Sequence, residues 1–422
     1  MTGLSSSSTA APQELPDAPA AGFSGERLHI LILSDRDWTH PQGGGTGTNL
    51  FNQVTHWLNW GHRVSVIACA YAGAPAVERT GALTLHRVGG RSTVFPRAIL
   101  RQWRHLVPDA DVVLEVVNGV TFLTPLWCRI PHVTLIHHIH RHHYAEELGT
   151  PGRVAALALE TLPLRLLYRG AQFLTISRAT AIDIVRHGID PAQVEIVYIG
   201  AEADAFGPDP RARAADPTLL YLGRLKRYKR IEVVLEVLER IPGAVLDLAG
   251  DGDHRDALLA EIQSRGLQDR VRVHGHVSEE HKRALYQRAW VNITASSAEG
   301  WGLSVTEAAA CATPSAALRS GGLAEAIEEG STGLLADTPA ELAAQVSHLL
   351  ADPARRERLG DQALQRAARF SWEETARETL AVLDRQRRRG RPGELPAAGL
   401  GGGGQTAEPA AAGAALRDTL PA

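Results

Sequence analysis

The sequence predicts an α/β protein built from two doubly wound parallel-sheet domains facing a cleft. Its 422 residues exceed one compact domain, at roughly 100–200 residues each. Short apolar runs alternate with helical-period segments throughout, as parallel strands joined by helical crossovers do. That alternation comes in two series, parted by residues 204–218 (DAFGPDPRARAADPT), which are rich in Pro, Ala and Asp.

In the first series, residues 28–33 (LHILIL) form an apolar run ending in a polar, Gly-rich loop, as a buried strand would. Leu50, Phe51, Val54, Trp57 and Leu58 then recur at helical spacing, and Gly61 is placed to stop that helix. Further strands are expected at 64–68, 112–117, 132–136 and 173–176. The second series places strands at 219–222, 245–249, 271–274 and 291–294, with amphipathic helices between them. Both ends, residues 1–25 and 390–422, are dominated by Ser, Ala, Pro and Gly and are expected to be disordered tails.

Composition narrows the function classes. A formal charge of -3, from 44 Lys+Arg and 47 Asp+Glu, argues against a nucleic-acid binder. Cys69, Cys128 and Cys311 stand far apart without a CxxC pair, so a disulfide framework or cysteine zinc site is not expected. Charges interrupt every apolar run before the roughly 18 residues of a membrane span. The N-terminus lacks a basic segment followed by an apolar one. A soluble or peripheral protein of the cytoplasm is expected.

In such folds ligands bind beyond the carboxyl ends of the strands, so those loops carry the candidates. Residues 34–49 (SDRDWTHPQGGGTGTN) place Gly43, Gly44, Gly45 and Gly47 just before a helix. Glycines there let backbone N–H groups approach an anion; read alone, such a stretch is more often simply a turn. Residues 223–230 (GRLKRYKR) put Arg224 and Lys229 after the first strand of the second series. Arg offers a planar fork and Lys a compact charge for a diphosphate, or the loop is simply solvated. Residues 299–307 (EGWGLSVTE) carry two glutamates, Glu299 and Glu307. With a helix starting near Leu303, both carboxylates can face one cleft, with the amides of Gly302, Leu303 and Ser304 between them. Carboxylates accept from sugar hydroxyls and helix-start amides bind phosphate. A macrodipole-stabilised acidic helix start is the plainer alternative.

Two segments are harder to assign. His137, His138, His140, His142 and His143 crowd one strand end without an acidic or cysteine co-ligand pattern. One histidine facing the cleft, with solvated neighbours, is preferred over a metal site. In residues 91–107 (RSTVFPRAILRQWRHLV), Arg91, Arg97, Arg101 and Arg104 interleave with Phe95, Ile99, Leu100 and Trp103. Such a basic amphipathic segment suits an anionic membrane, an anionic acceptor or an ordinary half-buried helix.

Taken together, the motifs resemble those of retaining glycosyltransferases of the GT-B fold, family 4 (group 1). The likeness runs from about residue 28 to 385. It rests on the triple glycine, WLNWGHRVSVIA at 57–68, LTISRAT at 174–180 before a segment ending at Gly200, and YLGRLKRYKR at 221–230. It continues through LAGDG at 248–252, SSAEGWGLSVTEAAACATP at 296–314 and FSWEETA at 370–376. The resemblance implies a Rossmann-like acceptor domain over 26–205, completed by a returning helix at 372–389, and a donor domain over 206–371. It implies that Glu299 contacts donor-sugar hydroxyls and Glu307 holds the ribose. Arg224 and Lys229 would grip the diphosphate, Gly44 and Gly45 would approach the phosphate or sugar, and His137 would sit near the reacting sugar and acceptor. Gly302, Leu303 and Ser304 would complete the donor site.

Three positions depart from the family pattern. Ala312 replaces a usual Gly, Ile199 replaces a usual Asn, and His138 stands where relatives often carry Asp, Ser or Thr. The implied activity is metal-independent hexosyl transfer from a nucleotide-diphosphate sugar to a hydroxyl acceptor, with retention and without a cofactor. A sugar-nucleotide epimerase of the same fold and a non-catalytic nucleotide-binding relative are the alternatives. Product analysis without acceptor discriminates the first, and the intact Arg224, Lys229, Glu299 and Glu307 argue against the second.

Overall fold

The computed structural model describes residues 26–103, 107, 109–140, 150, 151, 154, 157–201 and 206–390. Arg104, His142, His143 and the tails 1–25 and 391–422 lie outside the described residues. The first sheet contains β1 (His29–Leu33), β2 (Arg63–Ala68), β3 (Val77–Thr80), β4 (Leu83–Arg87), β5 (Val112–Val117), β6 (His132–Ile136), β7 (Gln172–Thr175) and β8 (Val194–Ile196). Their order is β3-β4-β2-β1-β5-β6-β7-β8. The second sheet contains β9 (Thr218–Leu222), β10 (Val245–Ala249), β11 (Val271–Gly275), β12 (Val291–Thr294), β13 (Ser315–Leu318) and β14 (Gly333–Ala336). It is ordered β11-β10-β9-β12-β13-β14. Helices cover the sheets, so central strands such as β1 and β5 are buried at every residue. That burial on both faces explains why they read as unbroken apolar runs.

The helix Gly44–Asn59 lays Leu50, Val54, Trp57 and Leu58 on the first sheet. Gly61 ends the segment at φ +83°, a left-handed value that glycine adopts without Cβ strain. The helix Trp372–Arg389, capped by Ser371, packs against β5, β6 and the helix Gly44–Asn59. The Trp57 indole N–H donates to the Ala376 carbonyl at 2.9 Å, tying the end of the chain to its beginning.

The two sheets share apolar packing. One buried cluster joins Ile199 and Trp372 to Trp301 and Leu323. The rings of Tyr198, Trp301 and Phe370 meet at centroid distances of 5.0, 5.3 and 5.7 Å. Glu325 accepts from the Arg178 backbone N–H at 2.7 Å and from the Tyr198 hydroxyl at 2.5 Å, joining the two halves of the chain. Ile199, at the position of the family's Asn, is 3% exposed and serves this core.

Three expectations are corrected. The first sheet is not wholly parallel, because β3 runs antiparallel to β4. Gly81 at φ +55° opens the two-residue connection between them, a hairpin geometry that favours glycine. The glycine loop does not stop before its helix: Gly44, Gly45 and Gly47 already belong to the helix Gly44–Asn59. Strands β3, β4, β8, β13 and β14 were not foreseen; β13 and β14, SAAL and GLLA, are too short to show a period.

Ala312 has φ +53°, which explains why relatives carry Gly there. A left-handed L-residue is strained by roughly 1–2 kcal/mol, while glycine loses more chain entropy on folding. Ala312→Gly should therefore stabilise the protein by about 0.5–1 kcal/mol. The denaturant midpoint at constant slope measures it; a lower midpoint would show that Ala312 is unstrained.

Candidate functional site

Strands β9 and β12 are neighbours although β10 and β11 come between them in sequence. This is the switch point of the second sheet, where crossovers diverge and leave a crevice. It sets the loop after β9, with Arg224 and Lys229, beside the loop after β12, with Glu299. The Ser297 N–H donates to the Tyr228 carbonyl at 2.9 Å, joining the two loops. Below them runs the loop after β10. A β-carbon on Gly250 would lie 1.9 Å from the Gly223 carbonyl oxygen, and one on Gly252 2.2 Å from that of Leu225. Glycine is required at both for this backbone approach.

Within this crevice Lys229 forms an ion pair with Glu299, their side chains 14% and 21% exposed. Burial is the largest single effect and works against the Lys229 charge, but Glu299 and Tyr228 together outweigh it and hold the ammonium above its ordinary pKa. Arg224 donates to the Tyr228 hydroxyl at 3.0 Å. Glu299 is fixed through its backbone, because its carbonyl accepts from the Gly322 N–H at 2.7 Å.

Glu307 lies on the helix Leu303–Ala310, which follows Gly302 at φ +106°. Its carboxylate is held apart from the Lys229–Glu299 pair. One oxygen accepts from Lys282 Nζ at 2.9 Å and the other from the buried Tyr286 hydroxyl at 2.8 Å. Lys282 also pairs with Glu279 at 2.6 Å and lies over the Phe206 ring. The two glutamates thus occupy different settings: Glu299 among loop cations, Glu307 8% exposed against the helix Glu279–Arg288.

The first sheet has its own switch point, between β1 and β5, and there the glycine segment follows β1. Behind it, buried Arg87 donates to Asp37 at 2.8 Å and to Thr39 at 2.9 Å, and the Thr39 N–H donates to Asp37 at 2.8 Å. The glycines face the second sheet. A β-carbon on Gly44 would lie 3.4 Å from the Arg224 guanidinium carbon, and one on Gly45 3.3 Å from Leu303 Cδ1.

His137 follows β6 and is 6% exposed. Its Nε2 lies 2.8 Å from the Asn49 amide nitrogen. A β-carbon on Gly300 would fall 2.4 Å from the His137 carbonyl oxygen, so this strand end abuts the Glu299 loop. Gly44, Gly45 and His137 therefore meet Arg224, Leu303 and Gly300 across the junction of the sheets. His138 stacks on His140 at 4.0 Å, and the His140 backbone N–H donates to both Glu160 oxygens at 3.0 Å. Among the described residues no group of three His, Cys, Asp or Glu side chains is placed to hold a metal ion.

Asn49, Asp37, Arg87, Lys282 and Tyr286 escaped the sequence reading. Only Asn49 left a signal: with Gln53 it puts amides on the buried side of an apolar helix.

Burial, with a smaller effect of His140, pushes the His137 imidazole down from 6.5 to about 4. As pH falls, the unfolded chain binds this proton before the native one does. The stability from neutral His137 is therefore complete above pH 6.5 and lost as pH falls from 6.5 to about 4. His137→Gln should flatten the stability profile in that window relative to wild type, measured by denaturation at successive pH values. Equal slopes would mean an imidazole that stays solvated.

This arrangement agrees with comparisons to known proteins. The chain matches the family Glycosyl transferases group 1 over residues 206–366 and Glycosyltransferase Family 4 over residues 43–205. It is 30% identical over 412 residues to a D-inositol 3-phosphate glycosyltransferase of Segniliparus rotundus, covering 84% of this chain and 88% of that one. A namesake from Kineococcus radiotolerans is 35% identical over 250 residues, covering 50% and 57%. One from Nocardiopsis dassonvillei is 32% identical over 219 residues, covering 46% and 51%. The chain thus spans about half the length of several curated relatives that it matches. Among solved structures, sucrose-phosphate synthase from Thermosynechococcus elongatus superposes with a TM-score of 0.75 at 22% identity, covering 86% of this chain and all of that one. Anabaena HepE, in complex with UDP and glucose, gives 0.66 at 16% identity, covering 85% and 100%. With its GT-B fold, the chain belongs to the group 1, family 4 glycosyltransferases.

Proposed function

We propose that the protein is a retaining, metal-independent glycosyltransferase that moves a hexosyl unit from a nucleotide-diphosphate sugar to a hydroxyl acceptor. The observation that carries this is the meeting of Arg224, Lys229 and Glu299 at one switch point, opposite Gly44 and Gly45. Anabaena HepE, with the same fold, holds UDP and glucose, which supports a sugar nucleotide as the ligand class.

Leaving-group charge grows on the diphosphate as the sugar departs. Fixed cations aimed at that charge supply several kcal/mol without reorganising during the reaction. Arg224 and Lys229 are such cations, and the first-turn amides of Leu303 and Ser304 add donors. Before donor binds, the Lys229–Glu299 pair holds both side chains in place. An arriving diphosphate shares Lys229 and leaves Glu299 free to accept from sugar hydroxyls. Glu307, oriented by Lys282 and Tyr286, accepts from ribose hydroxyls. His137, neutral near pH 7, orients the acceptor or the reacting sugar.

A screen of UDP-, GDP- and ADP-sugars, reading nucleoside diphosphate release, tests the activity. Release should persist with excess chelator; loss restored only by divalent ions would overturn the metal-free mechanism.

Single variants separate the roles. Glu307→Ala should mainly raise the donor KM and weaken free nucleoside diphosphate, by roughly 1.5–3 kcal/mol per charge-assisted hydrogen bond. Glu299→Ala should lower kcat more than nucleotide affinity, and Arg224→Ala should damage both. Nucleotide loss in Glu299→Ala with normal binding in Glu307→Ala would reverse the assignment.

A further inference from the structure

Eight large apolar side chains are exposed among the described residues, and all but Val77 fall in one part of the first sheet's surroundings. Leu100 lies on the helix Val94–Trp103, Leu126 on the helix Thr124–Trp127, and Leu157, Leu162 and Leu166 on the turns Leu157–Thr161 and Leu162–Leu167. These elements touch one another. Phe95 of the first packs on Phe122, just before the second, at 4.7 Å between ring centroids. The Thr124 N–H then donates to the hydroxyl of Tyr168, just after the third, at 3.2 Å. The exposed side chains are substantial: Leu126 and Leu166 are each 62% exposed, Leu100 52% and Leu157 50%. Such a cluster is not the scatter of single apolar residues normal for a surface.

Cations predominate beside it among the described residues. Arg97, Arg129, Arg165 and Arg169 are exposed beside the leucines. Across the described residues of 119–140 and 157–173 the single acidic residue is Glu160, which is fully buried and engaged by His140; Glu146 and Glu147, in the stretch between, lie outside the described residues. An apolar face rimmed by arginines complements a surface that is apolar inside and anionic at its edge. A second copy of the same face would set like charges against each other.

We propose that this face docks on an anionic lipid bilayer. Contact is peripheral, since no helix among the described residues is long and apolar enough to cross a membrane. The three elements follow the carboxyl ends of β4, β5 and β6, the edge of the sheet that also carries Gly44 and His137. Glu160, on the inner side of the leucine-bearing turn, grips the backbone three residues after His137. The same turn thus presents the leucines and supports the acceptor side of the site. Resting on the transferase reading, this placement assigns the acceptor to the amphiphiles, with an apolar tail in the bilayer and its hydroxyl at the cleft.

Sedimentation of the full chain with vesicles tests the docking. It should pellet with vesicles of equal parts phosphatidylglycerol and phosphatidylcholine, less so as salt is raised, and not with phosphatidylcholine alone. Leu162→Gln with Leu166→Gln, and separately Arg165→Glu with Arg169→Glu, should each weaken partitioning roughly tenfold or more. Both pairs are exposed, and unchanged nucleoside diphosphate affinity certifies the folded site independently. Absence of pelleting, equal pelleting with neutral vesicles, or unaltered partitioning of both double variants would overturn the proposal. So would variants that abolish self-association instead, which would make the face a contact between copies. Membrane binding without any nucleotide affinity would leave the docking standing and sink the transferase reading.

Discussion

The two sheets of this protein meet where backbone touches backbone, and glycine makes that contact possible. Between the sheets, a β-carbon on Gly300 would lie 2.4 Å from the His137 carbonyl oxygen; on either side of that contact, one on Gly200 would lie 2.3 Å from the Trp372 nitrogen and one on Gly322 2.1 Å from the Gly300 carbonyl oxygen. No side chain fits in these gaps. Each contact carries a part of the molecule: Gly200 admits the returning helix, Gly300 brings the strand end of His137 to the acidic loop, and Gly322 seats Glu299. The aromatic packing of Tyr198, Trp301 and Phe370 fills the remaining space at the junction. Since these contacts are nearly incompressible, the site's geometry depends on the relation of the two sheets.

Electrostatics then divides the labour inside the crevice. Lys229 and Glu299 neutralise each other across two loops that are far apart in sequence but hydrogen-bonded through Ser297 and Tyr228. Partly buried charges of this kind are held only with a partner. A ligand carrying its own charge can therefore exchange with the pair rather than having to order it. Glu307 is treated differently: each of its oxygens already has one donor, Lys282 or Tyr286, and the remaining lone pairs suit hydroxyl donors. On the other side, His137 sits in surroundings that keep it neutral near pH 7, which suits a hydrogen-bonding role better than a charged one.

Much of the fold was legible because burial on both faces leaves an unmistakable trace. The strands at 112–117, 132–136, 245–249 and 291–294 agree with β5, β6, β10 and β12 to the residue. Short strands such as β13 left no trace, because four residues, three of them small, display neither alternation nor a long apolar run. Gly44, Gly45, Arg224, Lys229, Glu299 and Glu307 were visible because strand-end loops with unusual glycines and charges break the surrounding pattern. Their supporting residues were not: Asp37 with Arg87, and Glu307 with Lys282, are joined across 50 and 25 residues of chain. No local spacing links them.

By itself the sequence determined where most of the buried strands would lie, which loops would carry charge, and which residue types would stand at their ends. These follow from local periodicity and from side-chain chemistry, both written along the chain. Tertiary structure alone decided that β9 and β12 would be neighbours, and with that the pairing of Lys229 with Glu299. It also decided that Glu307 would turn to Lys282 and Tyr286 rather than join that pair. Strand order is set by crossover connections and long-range packing, whose energies depend on residues brought together only when the chain has folded.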